Sequence, residues 1–76
     1  MDTKENRALL KQHLAQAESD VVLGTGHVER QRQIIAELER DGHDTEEAEQ
    51  LLRTFEETLA LHVEGRDRLR QELASN

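Results

Sequence analysis

Apolar residues recur along this chain in two stretches, with steps that alternate between three and four residues. This spacing places them along one narrow side of an α-helix, as in helices that pack through a heptad repeat. It predicts two long helices that pack against each other. The first stripe comprises Leu10, Leu14, Ala17, Val21, Gly24, Val28, Gln31, Ile35 and Leu38, and the second comprises Ala48, Leu52, Phe55, Leu59, His62, Arg66, Leu69 and Leu73.

A short polar connection separates the two stripes. Gly42 stands where a helix often ends in the left-handed conformation, and Asp44 is a residue type that favours helix N-caps. The sequence therefore predicts a first helix over 3–40, a turn over 41–44 and a second helix over 45–74. Because so short a turn makes the helices antiparallel neighbours, the predicted fold class is all-α, a coiled-coil-like antiparallel helical hairpin.

Two glycines in the first stretch leave a second architecture open. Gly24 and Gly26 together cost about 2 kcal/mol of helix propensity relative to alanine. A break at these residues would give a three-helix bundle. The heptad phase, however, continues in steps of seven from Leu14 to Ile35 through the glycines, and a true turn would have no reason to preserve it. The pattern therefore favours one continuous helix.

Polar residues and a glycine interrupt the middle of the predicted helix–helix seam. If the stripes pair symmetrically about the turn, Gly24 lies opposite His62. Polar residues in a seam cost stability but fix the register and the oligomeric state. The predicted apolar seam residues are Leu14, Val21, Val28, Ile35, Leu38, Leu52, Phe55, Leu59, Leu69 and Leu73, and the polar seam comprises Gly24, Gln31, His62 and Arg66.

Three further apolar residues, Ile34, Leu51 and Val63, flank the seam and widen the apolar face. A wider face is typical of four-helix bundles rather than of a lone pair of helices. A single domain of 76 residues without cysteine has few other means of stabilisation. We therefore expect the hairpin to form a homodimer, a four-helix bundle. Val22 and Leu23 lie off the seam and are interpreted as a second, smaller contact.

The composition argues against catalysis, cofactors and metals. The chain has no cysteine, tyrosine or tryptophan, and Gly24-Thr25-Gly26 lacks the lysine of a phosphate-binding loop. His13 and His27 are fourteen residues apart, so one chain cannot bring them to a single metal ion. The net charge is −7, and residues 41–76 carry most of it, with ten acidic and four basic side chains. We expect an acidic, non-enzymatic protein without a cofactor.

His62 admits two interpretations. The first is a core histidine whose polar atoms are satisfied by Gln31, Arg66 or water, since buried polar groups are normally paired. The second is a pH-sensitive joint, in which a protonated His62 beside Arg66 would place two like charges in the seam.

A hairpin dimer of the Rop type can bind RNA, and five arginines could form one basic band. The net charge of −7 and the lack of stacking aromatic residues argue against nucleic-acid binding. The predicted function is therefore an oligomerisation or protein-interaction module, and the alternative is a small nucleic-acid-associated regulator of the Rop-like hairpin type. The five arginines are Arg30, Arg32, Arg66, Arg68 and Arg70.

The absence of cysteine fits a reducing cytoplasm, and no apolar run approaches the roughly 20 residues that span a bilayer. We expect a cytoplasmic protein that does not enter membranes.

The run over 27–45 reads HVERQRQIIAELERDGHDT. This run, with the pairs 51–52 and 55–56 and the later segments 61–63 and 66–69, resembles small uncharacterised helical-hairpin proteins of alphaproteobacteria, found in rhizobia-like soil bacteria. The similarity covers most of residues 13–73. It implies a bacterial helical hairpin and brings no activity with it.

Overall fold

The computed structural model describes residues 3–75 and contains two long helices, α1 (Thr3–Arg40) and α2 (Glu46–Ser75). They pack antiparallel, which confirms the predicted all-α helical hairpin. The expected first helix and α1 have the same bounds, whereas α2 begins one residue later than expected and also ends one residue later. The alternative three-helix bundle is wrong, because α1 continues through Gly24-Thr25-Gly26 without a break.

The glycines of α1 are accommodated by packing. A Cβ atom added to Gly24 would lie 3.1 Å from Cδ1 of Leu59, so the glycine allows α2 to approach closely. Thr25 between the glycines donates its hydroxyl to the carbonyl of Val21 over 2.8 Å, within the helix. Gly26 faces open space. Interhelical contact at Gly24 therefore offsets part of the low helix propensity of this stretch.

The turn uses a glycine C-cap of the kind the sequence predicts. Gly42 has a φ of 74°, and its N–H donates to the carbonyl of Glu39 over 3.1 Å. The N–H of His43 donates to the carbonyl of Leu38 over 2.9 Å, which completes a Schellman motif. Asp44 then accepts the N–H of Glu46 over 3.1 Å and caps the start of α2.

The hairpin is long and thinly packed. It measures 60 × 16 × 14 Å, and its radius of gyration of 17.4 Å exceeds the roughly 11 Å of a compact domain of this length. Among residues 3–75, only Val28, Gln31 and Ile35 are buried, and all three belong to α1. Two helices alone cannot surround a core, so most of the apolar stripe stays half-buried.

Candidate functional site

Gln31 lies at the centre of the best-packed part of the seam. Its side chain is 5% exposed and its Nε2 donates to the carbonyl of Ala48 over 2.9 Å. Val28 and Ile35, the buried apolar side chains, lie one helical turn to either side of it. The hydrogen bond of this buried amide fixes the axial position of α1 relative to α2, because sliding the helices would leave the amide without its partner.

The axial register differs from the expected one. The three atoms nearest to a Cβ at Gly24 all belong to Leu59, so Gly24 lies against Leu59 and not opposite His62. The shift is three residues, close to one helical turn. Its cause is the connection: residues 43–45 are not helical and advance up to about 3.3 Å each, against 1.5 Å in a helix. They therefore carry α2 about 5 Å further along α1 than symmetric pairing assumes.

His62 contacts a carboxylate. Its Nδ1 lies 4.0 Å from Oδ2 of Asp20, and the histidine side chain is 40% exposed. Arg66, which the like-charge hypothesis placed beside it, instead donates its Nε to Oδ1 of the neighbouring Asp67 over 3.1 Å. The ion-pair contact of His62 is therefore with a carboxylate, and the pH-sensitive joint beside Arg66 stays a prediction.

The predicted seam residues all lie on the sides of the helices that face each other. Each position of the two stripes is half-buried or buried, including Gly24, His62 and Arg66. Of the flanking residues, Ile34 and Val63 are half-buried and Leu51 is 44% exposed.

The two long edges of the hairpin differ. If the apolar stripe occupies heptad positions a and d, the e positions of both helices meet along one edge. There Arg32 donates to Glu56 over 3.2 Å and Arg70 donates to Glu18 over 3.1 Å. We call this the charged edge, defined by Glu18, Arg32, Glu56 and Arg70.

The opposite edge, where the g positions meet, is more apolar. Ile34 and Leu51 are at g positions, and Leu9, Leu23 and Leu61 follow at the adjoining c positions. The exposed fractions are 41% for Leu9, 59% for Leu23 and 68% for Leu61. We call this the apolar edge, defined by these five residues. Four of the five side chains are more than 40% exposed in the single hairpin.

Val22 and Leu23 lie on different sides of α1. Val22 is 71% exposed at a b position, on the side of the charged edge, whereas Leu23 belongs to the apolar edge. Consecutive helical residues point about 100° apart, and the expected smaller contact through both side chains stays a prediction. The signal that separates the edges was present in the sequence, in the positions that flank the seam.

A shallow groove of about 500 Å³ opens on the apolar-edge side, at the end of the hairpin away from the turn. Both helices line it, with Asn6 and Leu10 on α1 and Arg68 and Glu72 on α2. The lining residues are Asn6, Leu10, Arg68, Gln71, Glu72 and Ser75.

Other chemistry finds little support within the described residues. No three histidine or acidic side chains among residues 3–75 converge as a metal site. His27 stacks on Phe55 with ring centroids 5.6 Å apart, which places this imidazole in a packing contact. Neither helix combines the length and the apolar character needed to cross a membrane.

Comparisons with family models, curated proteins and solved structures found no match to this chain.

Proposed function

We propose that this chain is a non-enzymatic oligomerisation or protein-interaction module that forms a homodimer, a bundle of four helices, in the cytoplasm. The observation that carries the proposal is the apolar edge, where four large aliphatic side chains are more than 40% exposed. A cysteine-free composition supports the reducing compartment.

The surface area supports association. The hairpin exposes 5825 Å², whereas a folded monomer of 8.7 kDa exposes about 4,700 Å². The excess of about 1,100 Å² is comparable to the roughly 800 Å² that each partner loses in a standard protein interface. A second copy could therefore cover the area that this fold leaves open.

The alternative of a Rop-like nucleic-acid regulator has weaker support. Three of the five arginines make ion pairs with carboxylates: Arg32 with Glu56, Arg66 with Asp67 and Arg70 with Glu18. A phosphate backbone would have to displace those carboxylates on a chain whose net charge is −7.

Light scattering over a range of protein concentrations tests the proposal. We expect a mass of twice 8.7 kDa that falls towards one chain on dilution. A mass of one chain at the highest concentration would overturn the dimer. In parallel, retention on heparin at low salt that is lost as salt rises would favour the nucleic-acid alternative.

A further inference from the structure

On α1, the aliphatic residues of the apolar edge are arranged symmetrically about the middle of the helix. The midpoint of α1 falls between Val21 and Val22. Leu9 and Ile34 lie equally far from it on opposite sides, about 19 Å along the axis at 1.5 Å per residue. Leu23 lies within two residues of the midpoint. Seen from the apolar edge, α1 therefore has aliphatic side chains at its middle and at matching distances above and below.

Helix α2 repeats part of this arrangement. Gly24 and Leu59 lie at the same position along the hairpin axis. Because the helices are antiparallel, Leu61 lies at the same axial position as the α1 midpoint. Leu51 is at about the height of residue 32 and so lies near Ile34 along the axis. The middle of the apolar edge thus presents Leu23 and Leu61 together, and the end near the turn presents Ile34 and Leu51.

From this placement we infer that two copies join antiparallel along their apolar edges about a two-fold axis at the middle of the hairpin. The inference rests on the proposed homodimer and specifies its geometry. Leu23 and Leu61 of both chains meet at the axis, and Leu9 of each chain lies opposite the partner's Ile34. A two-fold interface requires such self-complementarity, since each contact occurs twice.

The groove away from the turn fits the same geometry. It opens on the apolar-edge side at the height of Leu9 and Leu10. The two-fold axis carries this height onto the part of the partner that bears Ile34 and Leu51. Those two side chains would then lie over the groove and against Leu10, the apolar residue of its lining.

The charged edge is a poor alternative interface. Its carboxylates and guanidinium groups are already paired within the chain, at 3.2 Å for Arg32 with Glu56 and at 3.1 Å for Arg70 with Glu18. Covering them with a second copy would desolvate both pairs, and the loss of hydration opposes the gain from contact. The apolar edge carries one such contact near its middle, Asp20 with His62 at 4.0 Å, whereas the charged edge carries two pairs at 3.2 Å or less.

Two matched double variants separate the edges. Leu23→Gln with Leu61→Gln changes the apolar edge at the proposed axis. Val22→Gln with Ala60→Gln changes exposed b positions on the side of the charged edge. We expect the dissociation constant, measured by analytical ultracentrifugation, to rise about 100-fold or more in the first variant and less than about threefold in the second. Circular dichroism checks that both remain helical.

Chemical cross-linking tests the antiparallel arrangement, and the chain has no native cysteine to interfere. With a short bismaleimide reagent we expect Leu61→Cys to cross-link to its own copy. The double variant Leu9→Cys with Ile34→Cys should also give dimers, because these positions are about 37 Å apart within one chain. Leu9→Cys alone should not, and an efficient self-cross-link there would indicate a parallel dimer and overturn the inference.

The two proposals fail differently. A wild-type chain that is monomeric at all concentrations overturns both the proposed homodimer and its geometry. A wild-type dimer that survives Leu23→Gln with Leu61→Gln overturns only the geometry. Loss of the dimer in Val22→Gln with Ala60→Gln would assign the interface to the opposite edge.

Discussion

The half of the hairpin near the turn packs more tightly than the half near its open end. Near the turn, Val28, Gln31 and Ile35 are buried. Towards the open end, Leu14 and Leu69 of the seam are only half-buried, like the rest of both stripes there. The same heptad spacing therefore gives two levels of burial within one pair of helices.

The difference teaches that covalent connection contributes to packing. At the turn the helices are joined by five residues, so little chain entropy is lost when their side chains meet. Residues that meet at the open end are separated in sequence by almost the whole length of both helices. There the Nη1 atom of Arg7 donates to the carbonyl of Leu73 over 3.1 Å. In the proposed dimer, the partner's turn-proximal half covers this loosely packed end.

The largest expected effect compares one truncation in each half. Ile35→Ala removes a side chain that is 8% exposed, and we expect it to lower the free energy of unfolding by about 3 kcal/mol. Leu14→Ala removes a half-buried side chain and should cost about 1 kcal/mol, since less apolar surface returns to water. Urea denaturation at one fixed protein concentration measures both. Equal losses would show that the two halves are equally well packed.

A pair of glycine substitutions sharpens the comparison with effects of opposite sign. Gly42→Ala places a side chain at a φ of 74° and should destabilise the hairpin by about 1–2 kcal/mol. Gly65→Ala, in the half away from the turn, adds a Cβ that meets nothing within 4 Å and should stabilise α2 by up to about 1 kcal/mol.

Thermal unfolding followed by circular dichroism measures both glycine variants, with Gly65→Ala as the control for the added methyl group. A stable Gly42→Ala variant would mean that α1 can end without the Schellman motif.

Much of the fold could be predicted from local rules. The spacing from Leu14 to Ile35 located the side of α1 that faces α2, and the phase preserved through Gly24 predicted an unbroken helix. Gly42 could be identified as a C-cap because few other residue types adopt a positive φ at low cost. These features depend on residues near each other in sequence.

The register could not be predicted in the same way. A heptad stripe determines which sides of two helices face each other, but sliding by one turn keeps those sides in contact. The axial position of α2 relative to α1 depends on the non-helical residues 43–45. The distance that these residues span cannot be deduced from the spacing of the apolar stripes. For that reason Leu59, rather than His62, lies against Gly24, and Asp20 was not recognised as the neighbour of His62.

The smallest expected effect concerns the two ion pairs of the charged edge, one in each half. Arg32 with Glu56 and Arg70 with Glu18 have similar lengths and are all at least 44% exposed, so water and salt screen them. We expect coupling energies of about 0.5 kcal/mol or less from double-mutant cycles with glutamine at each position. The pair near the turn should have the larger value, because the helices there are kept close by the turn. As a control, 1 M salt should reduce both coupling energies towards zero. A larger coupling energy for Arg70 with Glu18 than for Arg32 with Glu56 would mean that the helices are held together at the open end as firmly as at the turn.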